Sequence, residues 1–148
     1  MVRSVERIIV RGDRLYIFYC GVHGPHTGRR FEKVVRKHPV QIGLLTQRRD
    51  GFVSLGAGER QGTVLTRPFE LPGDRLLVNA DASGGELWVE VFGEDGDRGG
   101  DGDVVARSEP LKGDLLHGVE GTVAAARGRN VRLRFTLRSC RLYSYWME

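Results

Sequence analysis

Four aromatic side chains, Trp88, Tyr143, Tyr145 and Trp146, sit close in sequence to carboxylates and arginines, and that mixture suits the recognition of sugars. A pyranose has an apolar face that stacks on an aromatic ring and a rim of hydroxyls that pair with carboxylate acceptors and guanidinium donors. The partners in reach along the chain are Glu86, Glu90, Arg132 and Arg134. The candidate carbohydrate-binding set is therefore Trp88, Glu90, Arg132, Arg134, Tyr143, Tyr145 and Trp146. On a strand Tyr143 and Tyr145 are in phase while Trp146 opposes them, so one set must face outward or lie at an edge. The competing role for each ring is packing within the core or between sheets.

Two further constellations could carry chemistry. His23 and His26 lie in a Gly- and Pro-rich stretch, residues 21–28, that reads as a loop and could line a pocket. Neither has a carboxylate beside it in sequence, and Asp13 is a strand away, so the simpler role is that of exposed loop histidines. His38 and His117 read as packing or turn residues. Residues 94–103 form an acidic, glycine-rich loop, and Asp95, Asp97, Asp101 and Asp103 are oxygen donors of the kind calcium takes. The EF-hand spacing fails there, because the fifth position counted from Asp95 is Gly99 and counted from Asp101 is Val105. The alternative is a solvated hairpin loop.

Other chemistries lack their signatures. There is no Cys-x-x-Cys, His-x-His or Glu-x-x-His spacing for zinc, and no serine stands in a Gly-x-Ser-x-Gly context. Gly56-Ala-Gly58 and Gly100-Asp-Gly102 precede no helix and read as turn glycines. Cys20 and Cys140 are the two cysteines; nothing in their spacing demands a bridge, and two reduced, mostly buried thiols are expected.

The elements that must position these residues are strands. Residues 130–137 alternate strictly: Val131, Leu133, Phe135 and Leu137 fall on one side, Arg132, Arg134 and Thr136 on the other. The chain has 21 Gly and only 5 Pro, which suits many short hairpins. Residues 5–10 and 15–20 read as a hairpin about Gly12-Asp13, followed by strands at 40–47 and 51–55. Beyond residues 56–62, seven candidate strands recur at 63–66, 75–80, 86–92, 104–108, 118–124, 130–137 and 141–146, with one helical turn at most near 124–127. No apolar run approaches the ~20 residues of a membrane span, and the first residues lack the apolar core of a signal peptide, which leaves localisation open.

Charge is uneven. Residues 1–50 hold eleven basic against four acidic residues, and the remainder twelve against fifteen. Arg29, Arg30, Lys33, Arg36 and Lys37 form the centre of the basic excess, with Phe31 the one aromatic among them. That composition argues against nucleic acid and for either a solvated loop or a surface facing an acidic partner.

Several segments resemble a known family. Leu15-Tyr-Ile-Phe-Tyr19, Gly24-Pro25-His26, Ile42-Gly-Leu44 and Arg48-Arg-Asp-Gly-Phe-Val-Ser-Leu55 resemble the last blade of the five-bladed propeller of invertase and β-fructosidase-type glycosidases. Thr66-Arg-Pro-Phe69, Leu77-Val-Asn-Ala80, Gly84-Gly-Glu-Leu-Trp-Val-Glu90 and Val131-Arg-Leu-Arg-Phe135 with Leu142-Tyr-Ser-Tyr145 resemble the β-sandwich that follows it. The resemblance implies a C-terminal piece without catalytic apparatus: the paired carboxylates of such enzymes belong to earlier blades, and no Asn-Asp-Pro-Asn, Arg-Asp-Pro or Glu-Cys pattern occurs here.

The resulting expectation is an all-β protein. Residues 1–56 form a propeller-blade-like four-strand segment, and residues 57–148 an antiparallel β-sandwich of the jelly-roll or concanavalin-like kind. The expected role is a non-catalytic module that binds carbohydrate or gives structural support, without a catalytic residue. Exposed strand edges predict a homo-oligomer, or packing against missing blades of a longer protein. The alternative is a self-assembling interaction protein with a basic N-terminal surface.

Overall fold

The structure, a computed structural model, describes residues 2–21, 40–94, 104–119 and 121–148. His23, His26, His38, the basic cluster and Asp95, Asp97, Asp101 and Asp103 lie outside the described residues. The chain is an all-β, antiparallel protein, as its alternation predicts, and divides into two compact units, residues 1–52 and 53–148.

The first unit is a three-stranded antiparallel sheet of β1 (Val2–Arg11), β2 (Arg14–Gly21) and β3 (Gln41–Arg48), in that order. Gly12 adopts φ +57° in the β1–β2 turn, a conformation that costs glycine nothing. Tyr19 pairs with Gly43, and a Cβ on Gly43 would fall 2.3 Å from the Tyr19 ring, so the ring lies over the glycine. The expected fourth strand at 51–55 is not part of this sheet. Residues 51–54 are irregular, and β4 (Leu55–Ala57) pairs with Cys140–Leu142 in the second unit. That pairing moves the division to residues 52 and 53, ahead of the expected 56 and 57.

The second unit is built on one long strand. The two strands expected at 75–80 and 86–92 are a single β7 (Leu76–Gly93), 18 residues long and bent in the middle. Along its other edge run β10 (Asn130–Arg138) and β11 (Cys140–Met147), broken only by Ser139 at φ +47°. Its remaining edge pairs with β8 (Val104–Arg107) and then β9 (Leu111–Val119). β4, β5 (Gly62–Leu65) and the two-residue β6 (Phe69–Glu70) complete the outer edge beside β11 and β10. The bend folds this eight-stranded sheet so that β9-β7-β11-β4 and β8-β7-β10-β5 enclose one core. The strand expected at 118–124 is displaced to Leu111–Val119; a 3-10 turn, Ala124–Ala126, follows it and buries Val123 and Ala126.

Side-chain phase explains the bend. Leu76, Val78, Ala80 and Ala82 face the core before it; Leu87, Val89 and Val91 do so after it. Even positions give way to odd ones, which needs an irregularity between residues 82 and 87, and the register slips there. Gly85 permits the tight corner: a Cβ on it would lie 2.0 Å from the Arg138 carbonyl oxygen. The Asp81 carboxylate fixes the approach, accepting from the Ser83 amide at 3.1 Å and the Ser83 hydroxyl at 2.6 Å. Val131, Leu133, Phe135 and Leu137 are buried in this core as the β10 alternation predicts.

Candidate functional site

The outer face of the β8-β7-β10 layer carries the densest polar arrangement of the described residues. Antiparallel register sets side chains in rows across the strands. Arg138 stands opposite Glu86, Thr136 opposite Trp88, Arg134 opposite Glu90, and Arg132 opposite Phe92. On the far side of β7, Arg107 stands opposite Glu90.

Glu90 is the electrostatic centre of this face. Its residue is 1% exposed, yet its carboxylate is fully engaged. Arg134 Nε donates to Oε2 at 2.6 Å, and Arg107 donates to Oε1 from Nε at 2.8 Å and also from Nη2. Burial works to raise the Glu90 pKa; the hydrogen bonds and charges of Arg134 and Arg107 overcome it and hold the carboxyl below its ordinary value near 4.5. The Arg134 guanidinium also stacks over the Phe92 ring, 4.6 Å from its centroid. Glu86 is engaged too, accepting from Arg138 and lying 3.9 Å from the Lys112 ammonium.

Beside these pairs is a surface concavity of about 350 Å³ lined by Glu86, Trp88, Arg107, Ser108, Glu109 and Pro110. Trp88 is half-buried there, whereas Glu109 and Pro110 are exposed. The adjoining backbone is rigid by construction: Ser108 donates its amide to Val89 carbonyl oxygen at 2.8 Å, and its hydroxyl accepts from the Val89 amide at 2.9 Å. Arg107, with a 60% exposed side chain, is thus anchored from below by Glu90 and open from above.

The seven expected sugar-binding residues do not form one platform. Trp88, Glu90, Arg132 and Arg134 share this face, but Glu90 is covered and Arg132 is two rows from Trp88, donating from Nε to the Glu94 carbonyl oxygen at 3.1 Å. The β11 aromatics are placed elsewhere. A register shift between Leu142 and Ser144 sets Tyr145 opposite core-facing Val78, and its ring lies 4.9 Å from that of Phe135. Tyr145 nevertheless stays 38% exposed, and its partial burial pushes the phenol up in pKa. Tyr143 and Tyr145 line a separate, largely apolar concavity of about 480 Å³ with Val53, Leu55, Val64 and Leu142. Trp146 stands opposite Leu77, half-buried. Arg107 and Glu109 escaped the sequence reading; β8 shows only four strand residues, and what matters is its register against Glu90, which no local pattern encodes.

Cys20 is half-buried and Cys140 buried, both as free thiols. Among the described residues no three His, Cys, Asp or Glu side chains are grouped to hold a metal, and no helix is long and apolar enough to cross a membrane. No protein family, curated protein or solved structure matches the chain.

Proposed function

We propose that this chain is a non-catalytic β-sandwich module that binds carbohydrate on the outer face around Trp88. One observation carries the reading: a half-buried tryptophan forms part of a concavity whose rim supplies a carboxylate acceptor, Glu109, and a guanidinium donor, Arg107. An indole offers the stacking surface and the rim groups offer partners for hydroxyls. The resemblance to the C-terminal part of invertase-type glycosidases supports a module that accompanies sugar chemistry without performing it.

A thermal-shift screen against mono- and oligosaccharides at ~10 mM tests this. A millimolar ligand at that concentration stabilises by about 1.4 kcal/mol, a shift of a few degrees for a domain of this size. The shift is expected in the wild type and absent in Trp88→Ala. A flat panel in both refutes carbohydrate binding.

A second reading, self-assembly, is favoured by the first unit. Its sheet carries exposed apolar side chains on both faces: Ile9, Phe18, Ile42 and Leu44 on one, Ile8, Val10 and Leu45 on the other. Ile42 is 80% exposed. Apolar groups on both faces of one sheet are characteristic of a layer that is covered in its working state.

A further inference from the structure

We infer that the Trp88 concavity selects neutral sugars presenting a vicinal diol, with Arg107 and Glu109 as the two specificity-determining residues and Glu90 as the residue that positions Arg107. The inference rests on the carbohydrate reading above and names the ligand class of that same site.

Of the three carboxylates near Trp88, Glu90 is 1% exposed and both its oxygens are taken by arginines. Glu86 accepts from Arg138 and lies against Lys112. Glu109 is exposed on the rim and has no hydrogen bond or ion pair among the described residues. It is therefore the carboxylate available to a ligand. Arg107 spends Nε and one face of Nη2 on Glu90, which leaves Nη1 and the outward edge of its guanidinium for another acceptor. Because two of its donors are tied down, the open edge is held in place and does not have to be ordered when a ligand arrives.

An acceptor-only carboxylate and a donor-only guanidinium on one rim match two adjacent hydroxyls. One hydroxyl donates to Glu109 and accepts from its neighbour; the other accepts from Arg107 while the ring face rests on Trp88. A ligand carboxylate or sulfate would gain from Arg107 but meet the Glu109 charge across the same concavity. A ligand cation would meet the reverse. One positive and one negative rim group thus favour a neutral polyol over either ion.

The test is calorimetric titration of the full chain with methyl α-D-mannopyranoside, methyl α-D-glucopyranoside and methyl α-D-galactopyranoside, with the 3-deoxy and 4-deoxy analogues of whichever binds, and with glucuronic acid. The variants are Trp88→Ala, Arg107→Ala and Glu109→Gln. Glu109 is exposed and isosteric with Gln, so that variant folds whatever the fate of Arg107→Ala. The expected result is binding that Trp88→Ala abolishes. Glu109→Gln, Arg107→Ala and loss of one diol hydroxyl should each weaken it roughly tenfold or more, the worth of a hydrogen bond to a charged group. Binding that needs Trp88 but ignores Glu109→Gln and the deoxy analogues overturns the diol assignment and leaves the carbohydrate reading standing. Tighter binding of glucuronic acid, improved further by Glu109→Gln, overturns it in favour of an anionic sugar. Failure of every glycoside removes the carbohydrate reading and this inference with it.

Discussion

Replacing Glu90 by Gln should destabilise the second unit by about 2–3 kcal/mol at neutral pH, and the loss should shrink in acid. Removing one partner of a buried ion pair costs about 3–5 kcal/mol. The Arg134 side chain is 17% exposed, which places its share toward the lower end of that range. The Arg107 side chain is 60% exposed, so its screened contribution adds about 1 kcal/mol at most. Gln keeps the shape and one carbonyl acceptor, which restores about 1 kcal/mol. The Glu90 pKa is lower folded than unfolded, so its stabilisation is fully present above the unfolded value near 4.5 and fades as pH falls through the folded one. Urea unfolding followed by tryptophan emission suits the measurement, because Trp88 and Trp146 both lie in the 53–148 unit and report on it alone. The difference between wild type and Glu90→Gln should hold from neutral pH down to about 4.5 and narrow as the pH falls further. A difference below about 1 kcal/mol at pH 7, or one that does not move with pH, refutes the view that this carboxylate is held charged by its two arginines.

Three other outcomes are expected. Gly85→Ala should destabilise by about 3 kcal/mol, since its Cβ would press on the Arg138 carbonyl oxygen at 2.0 Å, whereas Gly84→Ala, with 3.2 Å to Ser139 oxygen, should cost under about 1 kcal/mol; equal effects in urea titrations would contradict the corner described. Ile42→Lys combined with Leu44→Lys should lower the particle mass in light scattering with little change in stability, because both side chains are exposed; a wild type that is already monomeric at high concentration removes the assembly reading. Cys140 should react slowly with iodoacetamide until the unit unfolds, because burial raises its thiol pKa and its Sγ donates to the Glu86 carbonyl oxygen at 3.2 Å; labelling followed by mass spectrometry measures this, and rapid labelling of the folded chain would contradict it.

What was legible in the sequence is what period two encodes. The core face of β10 follows from Val131, Leu133, Phe135 and Leu137, and the Gly12-Asp13 turn announces the first hairpin. The single β7 was not legible, because Ser83-Gly84-Gly85 reads locally as a turn between two strands; pairing with β11 before the corner and with β10 after it keeps it one strand. Leu111–Val119 hides for a related reason: Gly113 and Gly118 interrupt its pattern, and its strand character comes from the β7 edge. At the site, residue types pointed to Trp88, Glu90 and Arg134. Burial then divided them into a ring available for contact and an ion pair beneath the surface. A one-residue register shift that no pattern in 141–147 reveals sets Tyr145 opposite Val78 and against the Phe135 ring while leaving it partly exposed.

Trp88 as the sugar platform is tested most directly by its emission in a Trp146→Phe chain, titrated with the glycosides of the calorimetric series. Binding on the indole predicts a saturable change in emission in the millimolar range, with protection from iodide quenching. Unaltered emission and quenching at sugar concentrations that shift the melting temperature would place the sugar elsewhere and contradict Trp88 as the platform.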